Sequence, residues 1–263
     1  PEGYVIMRIL LIRPPYTDYE GTEPPRIGIP LGTLSVAAAI ELAGHTVRIF
    51  DSLTYMDKTA DKKHFGASWE RILAEVKEFA PDVVGITNLF STQLEKSLAL
   101  PKLIKELDSR IRIIIGGPHA TVRPQDFLST GNFDFVILAE GEETAPALLE
   151  CLEGRRSLDA VSGIAYMSNG EMRINQPVYI KDMDSVPFPA YHLIDMEMYF
   201  SMVFRGFSSR PQDPFYKPRR EITMITSRGC PYICTFCSIH PTMGYRFRVQ
   251  SADYVISHIE HVV

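Results

Sequence analysis

Short β-branched or aliphatic runs alternate with amphipathic stretches between Met7 and Gly154, and this alternation constrains the fold more than any other feature of the chain. The pattern is typical of a parallel sheet whose two faces are both covered by helices. Gly44 and Gly154 are expected to end the first and the last of the helices. Strands are predicted at Arg8–Ile12, Thr46–Phe50, Asp82–Ile86, Ile111–Ile115 and Phe133–Leu138. Helices are predicted at Leu31–Ala43, Trp69–Phe79, Thr92–Leu107 and Glu143–Leu152.

Five strands in this order imply an α/β, doubly wound, five-stranded parallel sheet, in which ligands bind beyond the carboxyl ends of the strands. A nicotinamide or flavin dinucleotide is disfavoured, because the turn after the first strand lacks G-x-G-x-x-G and its prolines offer no N–H group to a pyrophosphate. Asp51 is therefore interpreted as a strand-end or helix-cap residue rather than a ribose ligand. Small and polar residues occupy the loops at this edge, namely Arg13-Pro14-Pro15-Tyr16, Thr87-Asn88-Leu89, Gly116-Gly117-Pro118-His119 and Glu140-Gly141-Glu142.

The dipeptide Asn169-Gly170 predicts a type I′ hairpin between Gly163–Ser168 and Glu171–Asn175. The stretch from Gln176 to Arg220 is rich in proline and aromatic residues, which favours an ordered connector over a flexible tail. Its charged, proline-punctuated piece from Arg205 to Arg220 is expected to be the most mobile part.

Three cysteines, Cys230, Cys234 and Cys237, follow the apolar, strand-like run from Ile222 to Thr226 with the spacing C-x3-C-x2-C. On a turn, this spacing is expected to gather three thiolates within a few ångströms of one point. Full ligation of a four-iron cluster by cysteine takes four thiolates, so three would leave one iron open to another molecule. The alternatives are a zinc site, for which His240 is the nearby fourth ligand, or three unrelated thiols.

The spacing, with the aromatic Phe236 before the last cysteine, resembles the motif of the radical S-adenosylmethionine (radical SAM) enzymes. The resemblance implies a [4Fe–4S] cluster on Cys230, Cys234 and Cys237, and a cofactor-binding position for Phe236. It also implies that the open iron chelates SAM, which an electron from the cluster cleaves to a 5′-deoxyadenosyl radical.

A doubly wound domain ahead of these cysteines resembles the cobalamin-binding radical SAM enzymes. The resemblance covers the whole chain, including Gly28-Ile29-Pro30-Leu31-Gly32 and Pro187-Phe188-Pro189. It implies a sheet of flavodoxin-like strand order that binds cobalamin, followed by the hairpin, the connector and the beginning of a partial (β/α) radical SAM barrel. It also implies that the Thr87 to Leu89 loop lines the nucleotide tail of cobalamin and that the glycine pair Gly116-Gly117 makes room for it. The predicted cobalamin contacts are Arg13, Pro14, Thr87, Asn88, Leu89, Gly116, Gly117, Glu140 and Gly141.

No D-x-H-x-x-G motif is present, so cobalt is expected to lack a histidine lower ligand. His119 and His45 are the formal candidates for such a ligand, but each is predicted to lie in a turn exposed to solvent. The upper face of the cobalamin is expected to look across a shared cavity toward the cysteine turn, because the radical must meet the methyl group on cobalt.

Three regions are predicted: a cobalamin-binding domain over residues 1–155, a hairpin and connector over 156–220, and the truncated beginning of the radical SAM domain over 221–263. Only 26 residues follow Cys237, enough for a loop from Pro241 to Gln250 and a helix from Ala252 to Val263. The SAM-binding and substrate-binding segments are therefore expected beyond Val263, and the native start is expected at Met7 or upstream.

The net charge of −5 and the absence of a dense Lys/Arg run argue against a nucleic-acid partner, and no apolar run reaches the ~20 residues of a membrane span. Four cysteines, three of them clustered, do not predict a disulfide framework. Together with the lack of a recognisable signal peptide, this favours a reducing cytoplasm. Cys151 stands alone in a predicted helix and is expected to be dispensable.

The resemblance implies an enzyme that methylates an unactivated carbon, or phosphinate phosphorus, of a small molecule, supplied with electrons by a protein such as flavodoxin or ferredoxin. Ring formation or rearrangement, as in the anaerobic magnesium-protoporphyrin ester cyclases, is the second enzyme hypothesis. A cobalamin-binding module with a structural cluster is the alternative without catalysis. Methylthio transfer is disfavoured, because that class carries three further cysteines where this chain has only Cys151. Catalytic residues, the substrate and the oligomeric state are not assigned.

Overall fold

The computed structural model describes residues 5–17, 27–57, 59, 61, 63–204 and 220–263. Its strands are β1 (Arg8–Arg13), β2 (Tyr16–Thr17), β3 (Thr46–Asp51), β4 (His64–Phe65), β5 (Val83–Thr87), β6 (Arg112–Gly116), β7 (Phe135–Ile137), β8 (Ile164–Ser168), β9 (Glu171–Asn175), β10 (Ser227–Arg228) and β11 (Arg248–Val249). Its α-helices are α1 (Leu31–Leu42), α2 (Trp69–Phe79), α3 (Leu94–Leu107), α4 (Pro118–Val122), α5 (Gln125–Leu128), α6 (Gly141–Leu152), α7 (Met196–Phe204), α8 (Ile239–Met243) and α9 (Ala252–Val262).

Among the described residues, one sheet holds seven strands in the order β3-β1-β5-β6-β7-β8-β9. The first five strands of that order run parallel, which confirms the predicted doubly wound sheet and its flavodoxin-like strand order. The five parallel strands are as predicted, but the sheet holds seven strands, because β8 runs antiparallel to β7 and β9 runs antiparallel to β8. Without β8, strand β7 would leave its backbone N–H and C=O groups unpaired at an edge. Pairing there also buries Ile164 and Ala165 completely.

Successive residues of β1 point to opposite faces of the sheet and into two separate cores. Leu10 and Ile12 pack with residues of α2 and α3 on one face. Ile9 and Leu11 pack with residues of α1 and α6 on the other face. Burying each of these side chains stabilises the fold by roughly 1.5–3 kcal/mol. A slip of one residue would exchange the two faces, so the cores fix the register of the strands.

The ends of the helices follow from local sequence. The Ser68 hydroxyl accepts a hydrogen bond from the Arg71 N–H at 3.3 Å and starts α2, whose predicted bounds are confirmed. Gly44 (φ 89°) and Gly154 (φ 79°) adopt left-handed conformations just beyond α1 and α6, as predicted. Asn169 (φ 52°) and Gly170 (φ 80°) have the two positive φ angles of a type I′ turn, so the hairpin is confirmed.

The segment around the cysteines differs from its prediction. The run from Ile222 to Thr226 is not a strand, because a strand needs backbone partners and, within residues 220–263, only Ser227–Arg228 pairs in a ladder, with β11. The predicted loop from Pro241 to Gln250 contains the end of α8 and all of β11. The predicted C-terminal helix is confirmed as α9, and the Ser251 hydroxyl caps it by accepting from the Tyr254 N–H.

The connector packs between the sheet domain and α9. The Ala190 N–H donates to the Leu34 carbonyl of α1 at 3.1 Å, and the Phe188 ring stacks on His258 of α9 at 4.8 Å. The prediction of an ordered connector is therefore correct over the residues that the structure describes. The predicted mobile piece lies, apart from Arg220, outside the described residues.

Candidate cofactor site

A crevice of about 320 Å³ opens at the carboxyl ends of the parallel strands, between the sheet and the beginnings of α1 and α6. Its volume lies at the lower end of the ~300–1,000 Å³ of small-molecule sites. The floor consists of aliphatic side chains from β1, β5, β6 and β7. Ile225, Arg228, Thr242 and Met243 close it from the segment that carries the cysteines. The strand ends and residues on either side of the cysteine turn therefore line one space, and that the turn itself faces this space stays a prediction.

The structure brings most of the predicted cobalamin contacts to this crevice. Asn88 is fully buried beside the wall, and its side-chain amide donates to the Ser97 hydroxyl at 2.8 Å, so it holds the loop against α3. Asn88, Arg13 and Pro14 are the predicted contacts that do not line the crevice. The predicted contacts that do line the crevice are Thr87, Leu89, Gly116, Gly117, Glu140 and Gly141.

The two glycines of the Gly116-Gly117 pair have different roles. Gly117 has φ 111°, and a Cβ atom on it would lie 2.5 Å from the Asn88 carbonyl oxygen, so only glycine fits between the two loops. Gly116 has ordinary backbone geometry, and the nearest atom to its Cβ would be 3.7 Å away. Gly117 therefore allows the two loops to pack closely. Gly116, which has no side chain, leaves space in the crevice that it lines.

Arg13 belongs to a buried polar network at the same edge. Its guanidinium donates to Asp51 Oδ2 at 3.2 Å and to the Gly28 carbonyl at 3.1 Å. The Tyr199 hydroxyl donates to the same Asp51 oxygen at 2.7 Å, while Asp51 Oδ1 accepts from the Leu53 N–H. Burial, reinforced by the Asp51 carboxylate, raises the pKa of Tyr199 far above its usual value, so the hydroxyl stays a donor. The interpretation of Asp51 as a strand-end and cap residue is correct.

The two histidines considered as cobalt ligands lie in different places. His45 precedes β3 at the amino edge of the sheet, where its Nδ1 lies 3.4 Å from the Met7 N–H. His119 lies in α4 at the carboxyl edge, with Nδ1 2.8 Å from the Ser91 hydroxyl and Nε2 3.3 Å from Asp126. Nδ1 of His119 is thus engaged by Ser91, whereas Nε2, although close to Asp126, forms no hydrogen bond with the described residues. That cobalt lacks a histidine ligand stays a prediction.

The three motif cysteines lie on an irregular turn between β10 and α8. None of them forms a disulfide, Cys234 and Cys237 are exposed, and Cys230 is half-buried. The Cys237 N–H donates to the Cys234 carbonyl at 3.1 Å, and the Cys230 N–H donates to the Gly244 carbonyl at 3.2 Å. Phe236 is 90% exposed beside them.

The thiols are not drawn to one point in the way that the spacing predicts. Across the described residues, no three His, Cys, Asp or Glu side chains are arranged to hold a metal ion. His240, the fourth ligand proposed for zinc, is buried at 7% exposure, stacks on Tyr245 at 4.2 Å, and belongs to no such arrangement. The difference has a physical reason: the spacing of the cysteines decides that they share one turn, whereas the direction of each side chain is set by its own backbone position and rotamer.

Four charged residues, which we call the Arg–Glu cluster, join the crevice to the cysteine segment: the buried Glu140, Glu142 and Arg248, and Arg228, whose side chain is 13% exposed. Glu140 accepts from both nitrogens of Arg248 at 2.8 and 2.9 Å and from Arg228 at 3.2 Å. Glu142 accepts from Arg228 at 2.5 Å and from the Ser35 hydroxyl at 2.8 Å. The predicted cofactor contact Glu140 therefore directs its carboxylate to these arginines. The acidic Glu140-Gly141-Glu142 turn could be recognised in the sequence, but its arginine partners Arg228 and Arg248 could not.

The charges of the cluster reinforce one another. Burial by itself raises the pKa of Glu142, but the hydrogen bond and charge of Arg228, with the Ser35 hydroxyl, outweigh it and lower the pKa below its usual value. Burial lowers the pKa of Arg228, whereas Glu142 and Glu140 raise it by more. Both groups therefore stay charged in the folded protein near neutral pH.

A second cleft, of about 660 Å³, lies at the amino edge of the sheet and is lined by residues such as Lys77, Asp82 and Arg110. It is on the opposite side from the loops that bind ligands in doubly wound folds. Within the described residues, no helix combines the length and the apolar composition that a membrane span requires.

Comparison with known proteins agrees with this arrangement. Residues 21–149 match the B12 binding domain family. The chain is 31% identical over 98% of its length to cytidylyl-2-hydroxyethylphosphonate methyltransferase of Streptomyces wedmorensis, of which it covers 53%. The cobalamin-dependent S-adenosylmethionine radical enzyme OxsB shares its fold over 97% of this chain and 31% of that one, with a TM-score of 0.75 and 20% identity. The chain thus matches the B12 binding domain over residues 21–149 and shares the fold of OxsB over nearly its whole length.

A relative whose name indicates different chemistry also matches. Anaerobic magnesium-protoporphyrin IX monomethyl ester cyclase of Synechocystis is 27% identical over 88% of this chain and 42% of its own length. The chain spans about half the length of the curated relatives it matches.

The described residues fit the cofactors of the family. The wall glycine Gly32, like Gly116, has room beyond its Cα atom, since a Cβ on it would meet nothing within 4 Å, and the floor is apolar. Such a crevice suits the flat, partly apolar nucleotide tail of cobalamin. The three free thiols are the donors that iron–sulfur clusters use. They would have to move together when a cluster binds.

Proposed function

We propose that the protein is a cobalamin-dependent radical SAM methyltransferase that acts on an unactivated carbon, or phosphinate phosphorus, of a small molecule. The observation that carries the proposal is the crevice, to which the carboxyl ends of the parallel strands and the cysteine-bearing segment both contribute. Bound there, cobalamin would supply the methyl group, while SAM on a cluster at the cysteines would supply the radical.

The chain's own residues have distinct parts in this proposal. Thr87, Leu89 and Gly116 would line the cobalamin tail, and Gly117 would hold the loops that form its wall. Cys230, Cys234 and Cys237 would ligate the cluster, with the exposed Phe236 beside SAM. The three proposed regions are residues 1–155, 156–220 and 221–263. The electron donor would be a protein such as flavodoxin or ferredoxin, in a cytoplasm that keeps the thiols reduced.

The decisive experiment uses the whole protein, reconstituted anaerobically with iron, sulfide and hydroxocobalamin and incubated with SAM and a reductant. Methyl transfer is expected to give both 5′-deoxyadenosine and S-adenosylhomocysteine. The Cys234→Ala variant is the matched control and should give neither product in excess of the blank. If the parent protein forms neither 5′-deoxyadenosine nor S-adenosylhomocysteine, the enzyme proposal is overturned in favour of a cobalamin-binding module.

Ring formation or rearrangement is the second candidate, supported by the similarity to the Synechocystis cyclase over 88% of this chain. In the same experiment this chemistry would yield 5′-deoxyadenosine without S-adenosylhomocysteine. The two enzyme hypotheses are therefore separated by one product analysis.

A further inference from the structure

We propose that Arg228 and Glu142 are positioning residues that couple the cysteine turn, Gly229 to Cys237, to the occupancy of the crevice. The proposal rests on the proposed function, because it assigns an occupant to each of the two places. Arg228 lies two residues before Cys230, and its guanidinium donates to Glu142 at 2.5 Å and to Glu140 at 3.2 Å. Both carboxylates stand where α6 begins, and all three residues line the crevice.

The backbone transmits the position of Arg228 to the first cysteine. Gly229 has φ 83°, and a Cβ on it would lie 2.1 Å from the Arg246 carbonyl oxygen, so the chain turns against its neighbour with no space to spare. The next residue, Cys230, donates its N–H to the Gly244 carbonyl. The direction in which the turn leaves β10 is therefore set at Arg228.

The partner strand is held by the same carboxylates. Arg248 lies opposite Arg228 in the β10–β11 pair and binds both oxygens of Glu140. Glu140 also accepts from the Ile180 N–H at 2.8 Å, so its two oxygens are fully engaged by protein groups. The side chains of Arg228 and Glu142 are 13% and 7% exposed, which shields their ion pair from the solvent screening that weakens surface pairs.

A ligand in the crevice would contact Glu140, Glu142 and Arg228, which all line it, and would restrict their motion. Because Arg228 directly precedes the cysteine turn, restricting Arg228 should also restrict the turn. Coupling of this kind is reciprocal: whatever the crevice ligand does for the turn, an ordered turn does for the ligand. Binding in the crevice should therefore slow the opening of the cysteine turn, and the effect should depend on the Arg228–Glu142 pair.

The first test needs no cofactor and measures the alkylation rate of each cysteine by N-ethylmaleimide in the apo protein. The variant is Arg228→Met with Glu142→Leu, which removes both charges together, because removing one would leave the other buried and unpaired. Cys230 should react about tenfold faster relative to Cys234, as expected when a local opening becomes easier. Cys151, in α6, reports on the whole fold and should keep its rate.

Arg110→Met, which removes an arginine from an exposed pair with Asp108, is the matched control and should change none of the rates. An unchanged Cys230 rate in the double variant would overturn the positioning role. A parallel rise at Cys151 would equally overturn it, because it would mean a general loss of the fold rather than a local effect on the turn.

The second test measures coupling in reconstituted full-length protein, using hydroxocobalamin as the probe and the loss of cluster iron to a chelator as the readout. Hydroxocobalamin should slow iron loss from the parent protein about fivefold, a coupling of ordinary size, and should not slow it in the double variant. Equal slowing in both proteins would overturn the coupling. If the parent binds neither cofactor, the proposed function fails, and the alkylation rates still decide on the positioning role.

Discussion

The hydroxyl of Tyr191 lies 3.2 Å from Nε2 of His258, and both side chains are buried. The pair joins the connector to α9, and the Phe188 ring stacks on the imidazole nearly parallel to it, with an interplanar angle of 11°. Burial, with a smaller contribution from the nearby His261, lowers the pKa of His258. The neutral imidazole is therefore the form that the folded protein favours.

We expect the docking of α9 to weaken in mild acid. A group whose folded-state pKa is depressed contributes stability that is complete above its ordinary pKa of 6.5 and is lost as the pH falls through the folded-state pKa. The amides of α9 should therefore exchange faster at about pH 5.5 than at about pH 7.5, after correction for intrinsic exchange. In His258→Phe this additional pH dependence should vanish, whereas in His261→Gln most of it should remain. Equal pH dependence in parent protein and His258→Phe would contradict the assignment.

Gly117→Ala is expected to lower the free energy of unfolding by at least about 1–3 kcal/mol, the cost of a non-glycine residue in a disfavoured backbone conformation. The clash of its Cβ with the Asn88 carbonyl adds to this cost and would displace the Thr87 to Leu89 loop. The urea midpoint of unfolding should therefore fall, and the dissociation constant for hydroxocobalamin should rise.

The matched control is Gly32→Ala, in the first turn of α1, where a Cβ would meet nothing within 4 Å. Alanine is a better helix former than glycine, so its unfolding free energy should not fall. If both variants unfold at the same urea concentration, the special role of Gly117 is refuted.

The layout of the sheet could be predicted because it depends on a short-range signal. Apolar runs of strand length that alternate with helical periodicity placed the parallel strands within two residues of their observed bounds. The same signal could not show that β8 joins β7, since a hairpin reads identically whether it extends a sheet or stands alone. Nor could it show that Ile222 to Thr226 lacks a ladder partner, because pairing depends on which segments meet in space.

The Arg–Glu cluster could not be predicted for a related reason. Arg228 and Glu142 are 86 residues apart, and the chain contains 27 basic and 32 acidic residues with no local spacing that matches one to another. The convergence of the thiols was predicted from spacing and is not met, because the spacing of cysteines brings them onto one turn but does not orient their side chains.

Tyr199→Phe should destabilise the protein by about 1–2 kcal/mol, because it leaves the buried Asp51 Oδ2 without one of its two donors. The loss should appear as a lower urea midpoint with an unchanged dependence on denaturant. Tyr232→Phe removes a hydroxyl from a side chain that is 73% exposed and serves as the control, for which no change is expected. A Tyr199→Phe protein as stable as the parent would mean that water replaces the hydroxyl at Asp51.

Replacing any one of Cys230, Cys234 and Cys237 by alanine is expected to abolish the visible absorption of the reconstituted cluster and the formation of 5′-deoxyadenosine together. Three thiolates are the minimum that leaves a single iron open, so a chain with two cannot hold the same site. Cys151→Ala is the matched control: burial raises the pKa of this thiol, which keeps it protonated and a poor ligand, and both readouts should match the parent protein. Because Cys234 and Cys237 are exposed, their substitution should leave the urea midpoint of the apo protein unchanged, which separates loss of the cluster from loss of the fold. A single motif variant that retains both absorption and product would refute the cluster assignment.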